Sequence, residues 1–224
     1  MDVTVVICTY NRCQSLAKAL DSIAKSSLSP STTWEVLVVD NNSTDQTMEI
    51  VQDLCRRHPG RIRYVFEPRQ GKSHALNSGI RHSRGEILVF ADDDETVDPE
   101  WLQQLTAPLR DPTWSGAGGP VILQWCCPRP SWLRMDMAAP LVGFHPDRQA
   151  GEFNEALFGG NMAYRRTMFE KYGVFRTDLG PSLSRETPRP NEDTEFAFLS
   201  VKNSPKTRMA ACRCTAIYVP IGCL

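Results

Sequence analysis

Short apolar runs alternate with amphipathic stretches along the first half of the chain. The apolar runs have the length of buried strands and cover residues 3–8, 35–39, 61–66 and 87–90. After the first three runs, apolar residues recur at the spacing of one helix face. They are Leu16, Leu20, Ile23 and Ala24, then Ile50, Val51 and Leu54, then Ala75, Leu76, Gly79 and Ile80. This alternation predicts an α/β fold, Rossmann-like, with a mostly parallel central sheet between two helical layers.

Helix-start signals add detail to this pattern. Ser43 and Gln46 fit a capping box for the second helix, and Pro99 is a favourable first residue for a fourth helix. Beyond residue 116 prolines interrupt long periodic patterns, so this part is expected to carry loops that contact substrate. Helices are predicted over residues 165–172 and 191–201, and a strand over 215–219.

Composition limits the possible classes of protein. The chain has 224 residues, 41% of them hydrophobic, and a formal net charge of −1. That length suits one well-buried domain covering residues 1–224, and the charge gives no basic footprint for nucleic acid. No apolar run approaches the roughly 18 to 20 residues of a membrane span, and the first residues lack a signal-peptide pattern. We therefore expect a cytoplasmic location.

The chain contains eight cysteines. Cys8 and Cys55 fall on apolar strand or helix faces, and the others lack paired C-x-x-C spacing. Free thiols are the favoured interpretation, and zinc ligands or disulfides are the alternatives.

Three consecutive carboxylates, Asp92, Asp93 and Asp94, follow the fourth apolar run. Such a cluster favours a hard divalent cation, Mg²⁺ or Mn²⁺. Ligands of open α/β sheets bind beyond the carboxyl ends of the strands, so a metal-bound phosphate is expected here. Strand alternation predicts that Asp92 and Asp94 point one way and Asp93 the other. The alternative is a solvated acidic loop that caps the helix beginning near Pro99.

Six ordered motifs carry a resemblance to a known family. They are VVICTYNR at 5–12, VVDNNSTD at 38–45, GKSHALNSGI at 71–80, GEILVFADDDETVDPEWL at 85–102, GGNMAYRR at 159–166 and NEDTEF at 191–196. The chain resembles the GT-A-fold glycosyltransferases of family 2, which are inverting enzymes that use nucleotide-sugar donors. The resemblance implies a GT-A-like domain with a nucleotide-sugar-binding half over about 1–115 and an acceptor-facing half over about 116–224. It also implies a UDP-sugar as the usual donor.

The resemblance assigns roles to individual residues. The donor would be held by Thr9, Tyr10, Asn11, Asp40, Gly71, Lys72, Asp92 and Asp93. Asp94, together with Asp92, would bind Mg²⁺ or Mn²⁺. The catalytic residues would be Asp193, which deprotonates the acceptor hydroxyl, and Glu192, which shifts the pKa of Asp193 or contacts the acceptor. Other interpretations stay open: Asp40 as a turn residue, Lys72 as a solvated charge, and Asp193 and Glu192 as first-turn helix residues. Asn161, after Gly159 and Gly160, would bond near the sugar or only support a turn.

The resemblance weakens at the end of the sequence. Family members often place a histidine that completes the metal site after a strand such as the one predicted at 215–219, and no histidine follows here. A truncated or inactive nucleotide-sugar-binding module is therefore an alternative. A haloacid-dehalogenase-like phosphatase and a nucleotidyltransferase are weaker alternatives. The expected acceptor is a saccharide or a lipid-linked saccharide. A lipid-linked acceptor would place the protein peripherally at the inner membrane face.

Overall fold

The computed structural model describes residues 1–125, 151–153, 157, 159–181, 191–202, 209–211 and 217–221. The strands are β1 (Val3–Thr9), β2 (Trp34–Asp40), β3 (Ile62–Phe66), β4 (Ile87–Asp92), β5 (Thr96–Val97), β6 (Gly116–Gly118), β7 (Val121–Trp125), β8 (Gly151–Phe153), β9 (Met162–Arg165), β10 (Met209–Ala211) and β11 (Ile217–Ile221). The helices are α1 (Cys13–Ala24), α2 (Thr47–Arg57), α3 (Lys72–His82), α4 (Trp101–Thr106), α5 (Arg166–Tyr172) and α6 (Glu192–Lys202), with a 3₁₀ turn at Pro108–Arg110.

Eight strands form the main sheet in the order β3-β2-β1-β4-β9-β6-β10-β8. The first four are mutually parallel, and β9 lies antiparallel between β4 and β6. The register sets Thr9 opposite Asp40 and Cys8 opposite Asp92. The carboxyl ends of β1, β2 and β4 therefore meet at one edge of the sheet. A smaller sheet has the order β5-β11-β7.

Apolar side chains cover both faces of the main sheet. On one face α1, α2 and α4 bury a cluster that includes Leu16, Val51 and Trp101. On the other, α3, α5 and α6 bury a second cluster around Phe90 and Phe196. The predicted three-layer α/β/α fold with a mostly parallel sheet is confirmed.

Most predicted elements are present with shifts of one or two residues at their ends. The helix that follows Pro99 begins at Trp101 but is short, ending at Thr106 before the 3₁₀ turn. A proline at position 108 cannot continue the hydrogen-bond ladder of an α-helix. The predicted strand near the end of the chain lies at Ile217–Ile221.

The predicted capping box at Ser43 and Gln46 is wrong. Helix α2 begins at Thr47, and the Gln46 side chain makes no capping bond. The Ser43 hydroxyl instead accepts the backbone N–H of Asn11, and the Asp45 carboxylate accepts the N–H of Thr47. Ser43 is drawn to a neighbouring loop, and Asp45 takes the place of the expected cap.

Two further sequence expectations concern thiols and membrane spans. Cys8, Cys13 and Cys55 are free, and the remaining five cysteines lie outside the described residues. No helix in the described ranges has the length and apolar character needed to cross a bilayer.

Candidate active site

A cleft of about 580 Å³ opens at the carboxyl ends of β1, β2 and β4. Its walls come from these strand ends, the start of α3 and one later segment. The lining residues are Cys8, Thr9, Tyr10, Arg12, Asn41, Gln70, Gly71, Lys72, Ala75, Asp92, Asp93, Asp94 and Pro181. Of the predicted donor-binding residues, Asn11 and Asp40 are not among them. The fold thus brings together motifs that lie up to 86 residues apart in the sequence.

The three aspartates form the acidic side of the cleft. Strand β4 ends at Asp92, and Asp93 and Asp94 lie in the turn that follows. Arg12 Nη1 lies 3.1 Å from Asp93 Oδ1 and 2.5 Å from Asp94 Oδ2. The predicted opposite orientation of Asp93 and Asp94 is therefore wrong, because strand alternation stops where the strand stops.

Burial affects the aspartates unequally. The Asp93 side chain is 8% exposed, whereas that of Asp94 is 34% exposed. Burial raises the pKa of the Asp93 carboxyl, and the nearby Thr9 hydroxyl and Arg12 guanidinium partly offset that rise. The Thr9 hydroxyl itself is buried and makes no hydrogen bond of ordinary geometry. Asp94 is thus the more accessible of the two carboxylates.

Lys72 lies at the start of α3 and pairs with the first aspartate. Its Nζ is 2.6 Å from Asp92 Oδ1. Burial alone would lower the pKa of the Lys72 ammonium, but the Asp92 carboxylate outweighs this effect and the pKa is raised. The ammonium is therefore charged at neutral pH and available to an anionic ligand in the cleft. Burial raises the pKa of the neighbouring Cys8 thiol, so this cysteine stays protonated.

A fourth acidic residue, Glu95, supports the cleft from below. It is 3% exposed, and its Oε2 accepts the backbone N–H of Asp92. Burial raises its pKa well above the ordinary value, and the charge of Asp92 adds to the rise. A Cβ atom on Gly160 would lie only 2.3 Å from Glu95 Oε1. The glycine at position 160 therefore makes room for this buried carboxyl group.

The end of β2 presents Asn41 to the cleft and turns Asp40 inward. Asp40 is 1% exposed, and its two oxygens accept the Ser43 N–H and the Tyr64 hydroxyl. The Asn41 side chain bonds the backbone of Glu67, Arg69 and Gly71. Asn41 thereby holds the loop that leads into α3. The role of Asp40 in binding the nucleoside stays a prediction.

The loop after β3 is also held by charge. Glu67 accepts hydrogen bonds from Arg69 and Arg81. The Arg69 hydrogen bonds, opposed in part by burial, lower the pKa of Glu67 to about 2. Its ionised form therefore stabilises the fold above the ordinary pKa of 4.5, and this contribution is lost as pH falls toward 2.

Replacing Glu67 by glutamine should destabilise the protein at pH 7 and flatten its acid response. We expect a loss of about 1–2 kcal/mol in the free energy of unfolding, less than the full shift implies because both arginines are half exposed. Urea denaturation at several pH values between 7 and 3 measures this. Glu170→Gln, at an exposed position on α5, is the control; equal curves for Glu67→Gln and Glu170→Gln would contradict the assignment.

Asn11 joins two loops beside the cleft. It adopts a left-handed backbone conformation with φ of 51°, which asparagine tolerates better than most residues. Its N–H donates to the Ser43 hydroxyl, and its Oδ1 accepts the Thr44 N–H at 2.7 Å. Thr9 and Tyr10 line the cleft directly, so Asn11 positions the strand end that carries them.

Helix α6 supplies Glu192 and Asp193 from the other half of the chain. Phe196 anchors this helix, since its ring stacks on Phe169 with centroids 4.7 Å apart and meets the edge of Tyr164 at 5.2 Å. Asp193 Oδ2 accepts the Gly159 N–H at 2.9 Å, and Oδ1 accepts the Thr194 N–H. The carboxylate is thus held in a defined orientation beside the Gly159 turn.

Glu192 connects α6 electrostatically with the cleft. It is 5% exposed; burial raises its pKa, and the positive charge of Lys72 opposes the rise. Gly180 lies between Glu192 and α3, where an added Cβ would be 3.2 Å from the Glu192 carboxyl and 2.6 Å from Ser73 Oγ. Gly180 therefore fills the space between the start of α6 and the helix that carries Lys72.

Asn161 belongs to the support of the site. It is fully buried, its Oδ1 accepts the Trp101 indole N–H at 2.9 Å, and its Nδ2 donates to the Pro120 carbonyl at 2.9 Å. Of the two interpretations of this residue, the geometry favours the structural one.

The donor set of the cleft fits a hard divalent cation. Asp92 and Asp94 are partly exposed carboxylates on its wall, and Mg²⁺ is commonly held by one or two carboxylates with substrate phosphates and water completing the shell. Within the described ranges, no group of three or more histidine, cysteine or acidic side chains is arranged around one point.

Sequence reasoning missed several residues of the cleft. Arg12, Asn41 and Gln70 were given no role, although each lies within a few residues of a strand end. A signal for Arg12 was present, because it follows Thr9 by three positions and strand ends of a parallel sheet meet at one edge. Its contact with aspartates 81 and 82 residues away could not be inferred from spacing.

The three-layer α/β/α fold and the acidic cleft at the carboxyl edge of its sheet define a protein of the GT-A fold. The model of one family, Glycosyl transferase family 2, matches residues 4–173. The chain belongs to this family, as its six motifs predicted.

Individual relatives agree with this membership. The chain is similar to the succinoglycan biosynthesis protein ExoM of Rhizobium meliloti, with 32% identity over 88% of this chain and 60% of ExoM. It also resembles the solved mannosyltransferase PcManGT from Pyrobaculum calidifontis, in complex with GDP-Man and Mn²⁺, at 27% identity and TM-score 0.71 over 96% of this chain and 56% of PcManGT. For TarS of S. aureus with UDP-GlcNAc the TM-score is 0.72 at 21% identity, over 100% of this chain and 60% of TarS. The chain thus spans about three fifths of these relatives.

Proposed function

We propose that this chain is an inverting glycosyltransferase that moves a sugar from a nucleoside diphosphate-sugar to an acceptor hydroxyl in polysaccharide or glycoconjugate synthesis. The observation that carries the proposal is the meeting of three aspartates with Lys72 and Arg12 in one cleft at the carboxyl edge of the sheet. Carboxylates suit ribose hydroxyls and a metal ion, and the two side-chain cations suit a diphosphate.

The residues divide into donor-side and acceptor-side groups. Thr9, Tyr10, Gly71 and Lys72 line the part of the cleft that would hold the donor. Asn11 and Asp40 would act through the loops that they hold in place. In the same proposal, residues up to about 115 bind the nucleotide sugar and residues beyond about 116 face the acceptor.

Asp94, with Asp92, would hold Mg²⁺ or Mn²⁺. Such an ion stabilises the negative charge that develops on the departing nucleoside diphosphate. Asp92 or Asp93 would bind the ribose. Membership of glycosyl transferase family 2 favours this use of the aspartates over the phosphatase and nucleotidyltransferase alternatives.

Asp193 would accept the proton of the acceptor hydroxyl, opposite the leaving group. Its Oδ1 accepts the Thr194 N–H and hydroxyl, whereas Oδ2 accepts the Gly159 N–H and keeps a further lone pair for a substrate proton. Glu192, buried at the start of α6, would be the second catalytic residue and would contact the acceptor. The acceptor would be a saccharide or a lipid-linked saccharide, and the second choice would bring the cleft close to the inner membrane face.

Nucleotide titration tests the donor side. UDP is the first expectation, and the complexes of TarS with UDP-GlcNAc and of PcManGT with GDP-Man and Mn²⁺ make UDP and GDP the two main probes. We expect calorimetry to show metal-dependent binding of one of them, weakened at least about tenfold by Asp94→Asn through loss of a metal ligand.

The matched control is Asp21→Asn, which changes an exposed aspartate that pairs with Lys25 on α1. Binding should be unchanged in that variant. Failure of the wild-type chain to bind UDP, GDP or dTDP with Mn²⁺ would contradict the donor assignment and favour an inactive module.

A further inference from the structure

Arg12 links the end of β1 to the acidic turn after β4. A single nitrogen, Nη1, contacts Asp93 at 3.1 Å and Asp94 at 2.5 Å. Lys72 makes the corresponding contact with Asp92 at 2.6 Å. Each of the three aspartates is therefore paired with a side-chain cation. The oxygen that Arg12 contacts on Asp94 belongs to the carboxylate proposed to ligate the metal.

The Arg12 contact has the properties of a reversible one. Its side chain is 53% exposed and Asp94 is 34% exposed, and ion pairs this accessible contribute only about 0–1 kcal/mol. Arg12 also lines the cleft, and a turn of its side chain toward a ligand there would take the guanidinium from Asp94 and from the 8% exposed Asp93. A positive charge at this distance from Asp94 repels an incoming cation.

We propose that Arg12 is an internal counter-cation, which competes with the divalent ion for Asp94 and is released when the donor diphosphate offers it a new anionic partner. Guanidinium groups bind phosphate oxygens in a fixed fork geometry. Metal alone therefore binds weakly, and metal and nucleotide strengthen each other's binding by the same factor. This inference rests on the proposed function and adds to it a residue and a coupling between metal and nucleotide binding.

The first test uses Mn²⁺ alone and follows free Mn²⁺ by electron paramagnetic resonance. Arg12→Gln removes the competing charge, so Mn²⁺ should bind about three- to tenfold more tightly than in the wild type. Arg12→Lys retains the charge and should stay close to the wild type. Unchanged or weaker Mn²⁺ binding by Arg12→Gln would overturn the proposal.

Arg81→Gln is the matched control. Arg81 is 50% exposed and pairs with Glu67, which also has Arg69 as a partner, so the loop remains supported. Its Mn²⁺ affinity should equal that of the wild type. An equal gain in Mn²⁺ affinity in Arg81→Gln and Arg12→Gln would mean that the effect comes from the change in net charge. That result would overturn a specific role for Arg12.

The second test repeats the Mn²⁺ titration with saturating UDP or GDP. Nucleotide should raise the wild-type Mn²⁺ affinity at least about tenfold, and this gain should be several-fold smaller in Arg12→Gln. An equal gain in both proteins would overturn the transfer of Arg12 to the diphosphate. If neither nucleotide binds the wild type, the proposed function fails, whereas the titration with Mn²⁺ alone still decides whether Arg12 competes for Asp94.

Discussion

Asp193→Asn is expected to lower turnover by about 10²–10⁴-fold while changing nucleotide affinity less than about twofold. An amide cannot accept the acceptor proton, and the base acts chiefly in the transition state. The donor-side residues lie on other elements, around the ends of β1, β2 and β4. Release of nucleoside diphosphate in the presence of a working acceptor measures turnover, and calorimetry measures nucleotide affinity.

The change at Asp193 also has a small structural cost. Its two oxygens accept the N–H groups of Gly159 and Thr194, and an amide can accept only one of them with its oxygen. We expect a loss of about 1 kcal/mol in the free energy of unfolding, which is too small to unfold the protein. Asp178→Asn, which alters an exposed pair with Arg176, is the matched control. Near-wild-type turnover in Asp193→Asn would show that Asp193 is only a first-turn helix residue.

Asn161→Ala is expected to reduce the free energy of unfolding by about 2–4 kcal/mol. It leaves the Trp101 indole N–H and the Pro120 carbonyl without their partner in a fully buried place, and each unsatisfied buried group costs about 1–3 kcal/mol. Urea denaturation measures the loss. Nucleotide affinity, measured where the variant is folded, should be unchanged because Asn161 does not line the cleft.

A double-mutant cycle with Trp101→Phe gives the control. Phenylalanine has no indole N–H, so Asn161→Ala should cost at least about 1 kcal/mol less in the Trp101→Phe background than in the wild type. Additive losses would mean that the hydrogen bond contributes little. A fall in nucleotide affinity without loss of stability would instead place Asn161 among the donor contacts.

The strands and helices of the first half could be predicted because their signals are local. Strands β1, β2 and β4 are mostly apolar runs buried on both faces, whereas the edge strand β3 is only partly buried. The helices that follow β1, β2 and β3 repeat their apolar faces at fixed spacing. Local signals failed where a side chain had two competing partners. Ser43 is a residue type that often caps helices, but its hydroxyl accepts the backbone N–H of Asn11 from a neighbouring loop instead.

The sequence predicted which motifs form the site, but only partly how their side chains are arranged in it. Strand order in a parallel sheet sends the Thr9 motif, the Asp40 motif and the three aspartates to one edge, so their proximity followed from fold class. Which side chain turns into the cleft depends on neighbours far away in the sequence. The Tyr64 hydroxyl donates a hydrogen bond to the buried Asp40 carboxylate. The next residue, Asn41, lines the cleft instead of Asp40.

The amino-acid sequence by itself determined the α/β class, the mostly parallel sheet and the family, because periodicity and ordered motifs are properties of the chain. Only the tertiary structure decided how the charges pair. Arg12 meets Asp93 and Asp94 across more than 80 residues, Glu95 is buried under Asp92 beside Gly160, and Asn161 bonds Trp101. Coulomb energy and desolvation depend on distance and burial in space, and the folded chain alone sets both.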